Sequence, residues 1–205
     1  MQLILASASP RRAQLLSAAG YRHEIFPVEI DERPRPNESA SVYVLRLALE
    51  KSKRAAELLA ALPAGSESRI VLAADTAVVV DDEILGKPGT PDEARRMLRM
   101  LSGRSHDVLT GVCIRSSGGG PGDRSEKGFR VLEHVETTAV FFAELCDADV
   151  NWYVQSEEGM DKAGGYAIQG LASRFVTRIE GSYSNVVGLP VAAVHGMLVG
   201  LEVSR

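Results

Sequence analysis

Two arginines stand where a helix should begin, in Ser7-Ala-Ser-Pro-Arg-Arg12. Ser9 suits an N-cap and Pro10 the first helical position, so Arg11 and Arg12 fall in the first turn, where the helix dipole favours anions over cations. Free N–H groups at a helix start, with Ser7 and two guanidinium groups beside them, suit the binding of a polyphosphate. An ordinary helix start with two solvated arginines is the plainer reading. The spacing is not that of a P-loop. A second chemical signal is Asp75, a carboxylate inside the apolar run Arg69-Ile-Val-Leu-Ala-Ala-Asp-Thr-Ala-Val-Val-Val80. Burying it unpaired is costly, so it must meet a cation, a metal or a donor network, either as a salt bridge or, beside Thr76, as a general base or metal ligand. Lys51 and Lys87 are further candidates for anion contact, Glu32 for a divalent cation, and Gln169, with an amide donor and acceptor, for the edge of a pyrimidine base.

These residues need elements to carry them. Leu3 to Ala6 reads as a short buried strand feeding the helix that Gly20 closes. Tyr21 to Ile30 reads as a second strand, and Pro34 and Pro36 put Asp31 and Glu32 on a loop at its end, as metal ligands or as a solvated acidic turn. A long helix is expected from Ser39 to Leu62, capped by Asn37 or Ser39 and stopped by Pro63, with Val42, Leu45, Leu49, Ala56 and Leu59 as its core stripe. Lys51 lies on the adjoining row with Leu47, Ala48 and Ala55, where its stem either aims its ammonium at an anion or snorkels to water. Arg69 to Val80 is a strand buried on both faces, and Asp81-Asp82-Glu83 turns it back towards Lys87, which Pro88 holds rigidly. Thr90-Pro-Asp-Glu93 caps a scaffold helix with Met97, Leu98 and Leu101 inward. Residues 105–115 and 129–143 are two strands around Ser116-Ser-Gly-Gly-Gly-Pro-Gly122, a turn or linker composition without chemistry. Asp147 starts a helix to about Gln155. The glycines of Glu158 to Gly170 suggest a loop wrapped closely around something, before a strand over Arg174 to Ile179 and a final helix opened by Pro190.

At 205 residues the chain suffices for one domain, taken as 1–205. A net charge of −4 without a basic block argues against binding a nucleic-acid polymer. No segment is long enough to span a bilayer, and Ala6-Ser7-Ala8 is not expected to be a signal cleavage site, because the apolar stretch before it is short and uncharged. Cys113 and Cys146 form no C-x-x-C pattern, which fits a reducing cytoplasm, and the four histidines share no metal-binding spacing.

Ser7-Ala-Ser-Pro-Arg-Arg12, Ala74-Asp-Thr76 with Leu85-Gly-Lys-Pro88, Leu101-Ser-Gly-Arg-Ser-His106, Asp161-Lys-Ala-Gly-Gly-Tyr-Ala-Ile-Gln-Gly170 and Gly181-Ser-Tyr-Ser-Asn-Val-Val-Gly-Leu-Pro190 together resemble the Maf family of nucleoside triphosphate pyrophosphatases. The resemblance runs in order over nearly the whole chain. It implies an α/β fold like that of the inosine triphosphate pyrophosphatases, a bent mixed sheet with two lobes around a cleft, often in a homodimer. It implies hydrolysis of dTTP, UTP and related pyrimidine nucleotides as house-cleaning of the nucleotide pool, with Mg²⁺ or Mn²⁺. Asp75 falls on the family's proton acceptor, and Arg11, Thr76 and Gln169 on positions tied to the dTTP/UTP branch rather than the 7-methyl-GTP branch. The joint expectation is that Ser7, Arg11, Arg12, Lys51 and Lys87 hold the triphosphate, Glu32 binds the metal, and Asp75 activates water. A nucleotide-binding regulator of septum formation is the rival class.

Overall fold

The computed structural model describes residues 2–61, 69–117 and 129–202. The expected stop at Pro63 and the glycines of the 116–122 segment, from residue 118 on, lie outside the described residues.

The fold is built on one mixed sheet. Strand β1 (Gln2–Leu5) pairs in parallel with the short β2 (Glu24–Ile25) on one side and with β3 (Arg69–Val80) on the other. Strands β5 (Ser105–Ser117), β6 (Phe129–Phe142) and β7 (Val176–Glu180) follow antiparallel, giving the order β2-β1-β3-β5-β6-β7 in a seven-stranded sheet. The remaining strand, β4 (Glu83–Leu85), folds back on the end of β3 through Asp81 and Asp82, whose φ of 51° and 60° give the two-residue hairpin its twist.

The register of β3 creates the site. One of its edges is occupied by β5 from Ile70↔Ser116 to Val79↔Asp107. The other is shared: β1 ends at Leu5↔Leu72 and β4 begins at Val78↔Leu85. Ala73 to Ala77, with Asp75 at their centre, lie between these two partners. Leu5 leads directly into Ser7 and helix α1 (Pro10–Ala18), and Leu85 into Gly86 and Lys87, so both sides of the break deliver polar residues to it.

Because side chains alternate along a strand, Asp75 faces one side of the sheet and Thr76 the other. On Asp75's side lies helix α2 (Ala40–Ala60), over a cluster of Ile4, Ala6, Ala55, Ala56, Leu59, Val71 and Ala73. The opposite face carries two separate clusters. Leu5, Leu72 and Ala74 pack with Leu16 of α1 and with Val194 and Leu198 of the last helix, Val191–Glu202. Val78, Val80 and Leu85 pack with helices over Pro91–Leu101 and Asp147–Gln155. Thr76 falls between them, hydrogen-bonded to Thr110 (Oγ1–Oγ1 2.9 Å), so a polar seam divides the lobes.

Two expectations need correction. Strand β2 is shorter than Tyr21 to Ile30, since β1 offers it only Ile4 and Leu5 and Pro27 has no N–H to continue. The buried face of α2 holds Ala56 and Leu59 of the expected stripe but is rotated over the first half of the helix: Val42 is exposed and Leu45 and Leu49 are half-buried, whereas Val44, Leu47, Ala48, Lys51, Ser52 and Ala55 are buried. The cause is close approach. A Cβ on Gly111, the cross-strand partner of Asp75, would lie 2.4 Å from the Val44 carbonyl carbon and oxygen, so the helix backbone lies close against the sheet there, with the small Ala48, Ser52 and Ala55 buried in the turns that follow.

Candidate active site

Asp75 is buried and receives Lys51 from α2, with Nζ 2.6 Å from Oδ1. Side chains lean towards the N-terminus of their helix, which lets the long Lys51 stem run back along the sheet to the break. The same ammonium lies 2.5 Å from Glu32 Oε1. Asp75 Oδ2 has no hydrogen-bond partner among the described residues. Burial pushes the Glu32 carboxyl up, but its hydrogen bond to Lys51 and the charges of Lys51, Lys87 and Arg12 outweigh that and leave it below the usual range. The loop bearing Glu32 is tied to α2: Tyr43 donates to the Glu32 carbonyl at 2.9 Å, and Arg46 donates to the Arg33 carbonyl while paired with Glu38 at 2.6 Å.

On the other face Arg12 is buried and already committed. Its Nε donates to the Gly188 carbonyl (2.8 Å), one terminal nitrogen to Ser7 Oγ (3.0 Å) and the other to Thr76 Oγ1 (3.1 Å). A guanidinium has five N–H groups, so Arg12 locks the turn after β1 to the seam and to Gly188 while keeping two donors. Burial lowers its pKa, and the charge of Asp75 opposes that shift. Arg11 is half-buried; burial lowers its pKa and Asp161 opposes this. Ser9 occupies the N-cap position of α1, but its side chain makes no cap; its own N–H is bound by Ser7 Oγ at 3.2 Å. The start of α1 is therefore left uncapped by side chains, which suits an anion.

One cleft of about 670 Å³ collects these groups. Ser7, Arg11, Arg12, Glu32, Lys51, Asp75, Thr76, Lys87 and Gln169, the residues singled out from the sequence, all line it. They come from both faces of the sheet because the cleft opens at the break between β1 and β4. The lining is mixed: beside the charged groups, Val78, Leu85, Val108, Tyr166 and Ile168 supply apolar walls, and the Gln169 side chain is exposed. Gly164 donates to the Gly86 carbonyl at 3.0 Å and so joins the loop before Gln169 to the one bearing Lys87.

Sequence reasoning missed several lining groups. Tyr43 precedes Lys51 by about two turns of α2, a spacing that could have linked them. Lys162, paired with its neighbour Asp161, adds a cation that the sequence reading left without a role. The Gly188 carbonyl has no side-chain signature at all.

Mg²⁺ and Mn²⁺ prefer oxygen ligands and tolerate few from protein. The described residues contain no group of three or more His, Cys, Asp and Glu suited to a metal, but Glu32 and Asp75 already converge on one cationic nitrogen. Lys51 occupies the point where they meet, so the half-exposed Glu32 carboxylate at the cleft is the group that fits a cation whose remaining ligands are phosphate oxygens and water.

The Maf-like protein family matches residues 2–201. A dTTP/UTP pyrophosphatase of Anaeromyxobacter sp. (strain Fw109-5) is 48% identical over 198 residues, covering 96% of this chain and 88% of that protein. A dTTP/UTP pyrophosphatase of Syntrophus aciditrophicus (strain SB) is 47% identical over 193 residues, covering 94% and 86%. Among solved structures, that of the Staphylococcus aureus Ham1 protein aligns over 70% of this chain and 73% of its own, with 12% identity and a TM-score of 0.41.

Proposed function

The chain belongs to the Maf family, and on that premise we propose that it hydrolyses dTTP and UTP to the monophosphate and pyrophosphate. The observation that carries the mechanism is Asp75, with one carboxylate oxygen held by Lys51 and the other open, at a break in the sheet edge flanked by cationic loops. A triphosphate lies along the uncapped start of α1, Arg11 and Lys87, with the spare donors of Arg12 and the Ser7 hydroxyl beside it. Asp75 Oδ2 takes a proton from water as the water oxygen attacks the α-phosphorus, and the bond to the bridging oxygen of pyrophosphate breaks. The cations then meet the negative charge that develops on the leaving group. Glu32, together with the phosphate chain, would hold the divalent cation, which when bound supplies further charge neutralisation. The base enters against the apolar walls, where the Gln169 amide reads its edge and Thr76 shapes the wall.

No helix among the described residues is long and apolar enough to cross a membrane. We place the protein in the cytoplasm, where its two free cysteines stay reduced, as a single unit over 1–205 that forms homodimers.

Incubation with UTP, dTTP, CTP and 7-methyl-GTP, with products separated by chromatography, tests the reading. Release of UMP and dTMP with intact pyrophosphate is expected, and Asp75→Asn should lower kcat by roughly a hundredfold, the scale of a lost general base. Cleavage of 7-methyl-GTP alone would overturn the branch, nucleotide binding without cleavage would favour the regulator, and wild-type turnover by Asp75→Asn would exclude the base.

A further inference from the structure

Gln169 is exposed, and its amide makes no hydrogen bond among the described residues, so its aim depends on the backbone that carries it. That backbone is tethered on both sides from outside the cleft lining. Tyr153, fully buried on the helix Asp147–Gln155, accepts the Ala167 N–H at 3.1 Å and donates to Glu158 Oε2 at 2.9 Å. The other oxygen of Glu158 accepts the Leu171 N–H at 2.9 Å. The same carboxylate fills the space where a side chain on Gly170 would begin: a Cβ there would lie 1.9 Å from Glu158 Oε1. A second close approach supports this arrangement, because a Cβ on Gly159 would lie 2.0 Å from the Gly165 carbonyl oxygen. The Tyr153 hydroxyl stays protonated and can keep donating, since burial and its bond to Glu158 push it above the ordinary phenol range.

We propose that Tyr153 and Glu158 are positioning residues for nucleobase selection, fixing the backbone two residues before and two residues after Gln169 so that its amide meets one base edge and not another. Neither side chain lines the cleft, so their effect passes through Ala167 and Leu171. The inference rests on the reading of Gln169 as the base contact.

Tyr153→Phe keeps the ring and removes both hydroxyl bonds; Glu158→Gln keeps the shape and turns one of the two acceptor oxygens into a donor, so the side chain can no longer accept from both the Tyr153 hydroxyl and the Leu171 N–H. For each variant, and for Gln169→Ala, kcat/KM is measured with UTP and with CTP, along with the inhibition constant of inorganic pyrophosphate. The preference between the two nucleotides should shrink roughly five- to tenfold in either tether variant, the size of one lost hydrogen bond. The pyrophosphate constant should stay within about twofold, because the phosphate end is untouched. A merely structural role would lower both nucleotides equally and keep their ratio. Unchanged preference in the tether variants while Gln169→Ala relaxes it would overturn the tether, as would a parallel loss of pyrophosphate binding. Unchanged preference in Gln169→Ala would remove the base contact itself and the proposal with it. Should Tyr153→Phe fail to fold, Glu158→Gln decides between these outcomes.

Discussion

Replacing Lys51 by methionine separates a supporting ion pair from a decorative one. The ammonium sits 2.6 Å from Asp75 and 2.5 Å from Glu32, and the Lys51 and Asp75 side chains are only 10% and 11% exposed. Lys51→Met keeps most of the stem's packing and leaves two carboxylates facing each other without a counter-ion. Removing one partner of a buried pair costs about 3–5 kcal/mol. Glu32 is half-exposed and the cleft admits water, so the lower end applies, about 3 kcal/mol, or a fall in Tm of roughly 6–12 °C for a chain of this size. Two further results follow from the same geometry. The double variant Lys51→Met, Asp75→Asn should recover much of the loss, because the uncompensated buried charge is gone, giving a coupling energy above about 1 kcal/mol. Millimolar Mg²⁺ should raise the Tm of Lys51→Met more than that of the parent, because a cation then replaces the lost ammonium. Thermal unfolding followed by circular dichroism, with and without Mg²⁺, measures all three. A Lys51→Met protein within about 2 °C of the parent, with no coupling to Asp75, would refute the reasoning and put the pair in the class of weak surface bridges.

Other consequences can be measured separately. Burial lowers His106 from 6.5 to about 4, so the unfolded chain binds its proton over that interval; the resulting stability is present above pH 6.5 and lost as pH falls towards 4. Its full size is about 3 kcal/mol, and His106→Gln should flatten that part of the pH dependence of the unfolding free energy. Gly111→Ala should destabilise by roughly 2 kcal/mol through overpacking against the α2 backbone at Val44, and should also lower kcat because α2 carries Lys51. Tyr43→Phe removes the hydrogen bond to the Glu32 carbonyl, and should raise the Mg²⁺ concentration needed for half-maximal activity while leaving the Tm within about 2 °C.

The residues that line the cleft stand out in the sequence because they violate local rules. Arg11 and Arg12 contradict the dipole of the helix they begin, and Asp75 contradicts the apolar strand it interrupts; all three line the cleft, and Asp75 meets the Lys51 ammonium there. Strand β3 runs over the expected Arg69 to Val80 because a continuous apolar run can be satisfied only between two covered faces. The buried face of α2 was harder to read. Val42, Leu45 and Leu49 suggest one stripe, but the helix follows the close contact at Gly111, a residue distant in sequence, and buries the adjoining row of Leu47, Ala48, Lys51 and Ala55. The helix-start position and the Ser7-Ala-Ser-Pro-Arg-Arg12 motif mark Arg12 only as a candidate phosphate ligand. Its bonds to Thr76 and to the Gly188 carbonyl depend on chain segments far apart in sequence, and a backbone acceptor leaves no mark in residue identity.

Hydrolysis of UTP in ¹⁸O-labelled water tests the central claim most directly, because it locates the bond that breaks. Attack of an Asp75-activated water on the α-phosphorus predicts one labelled oxygen in UMP and none in pyrophosphate. Label in the pyrophosphate, or release of UDP and inorganic phosphate, would contradict it.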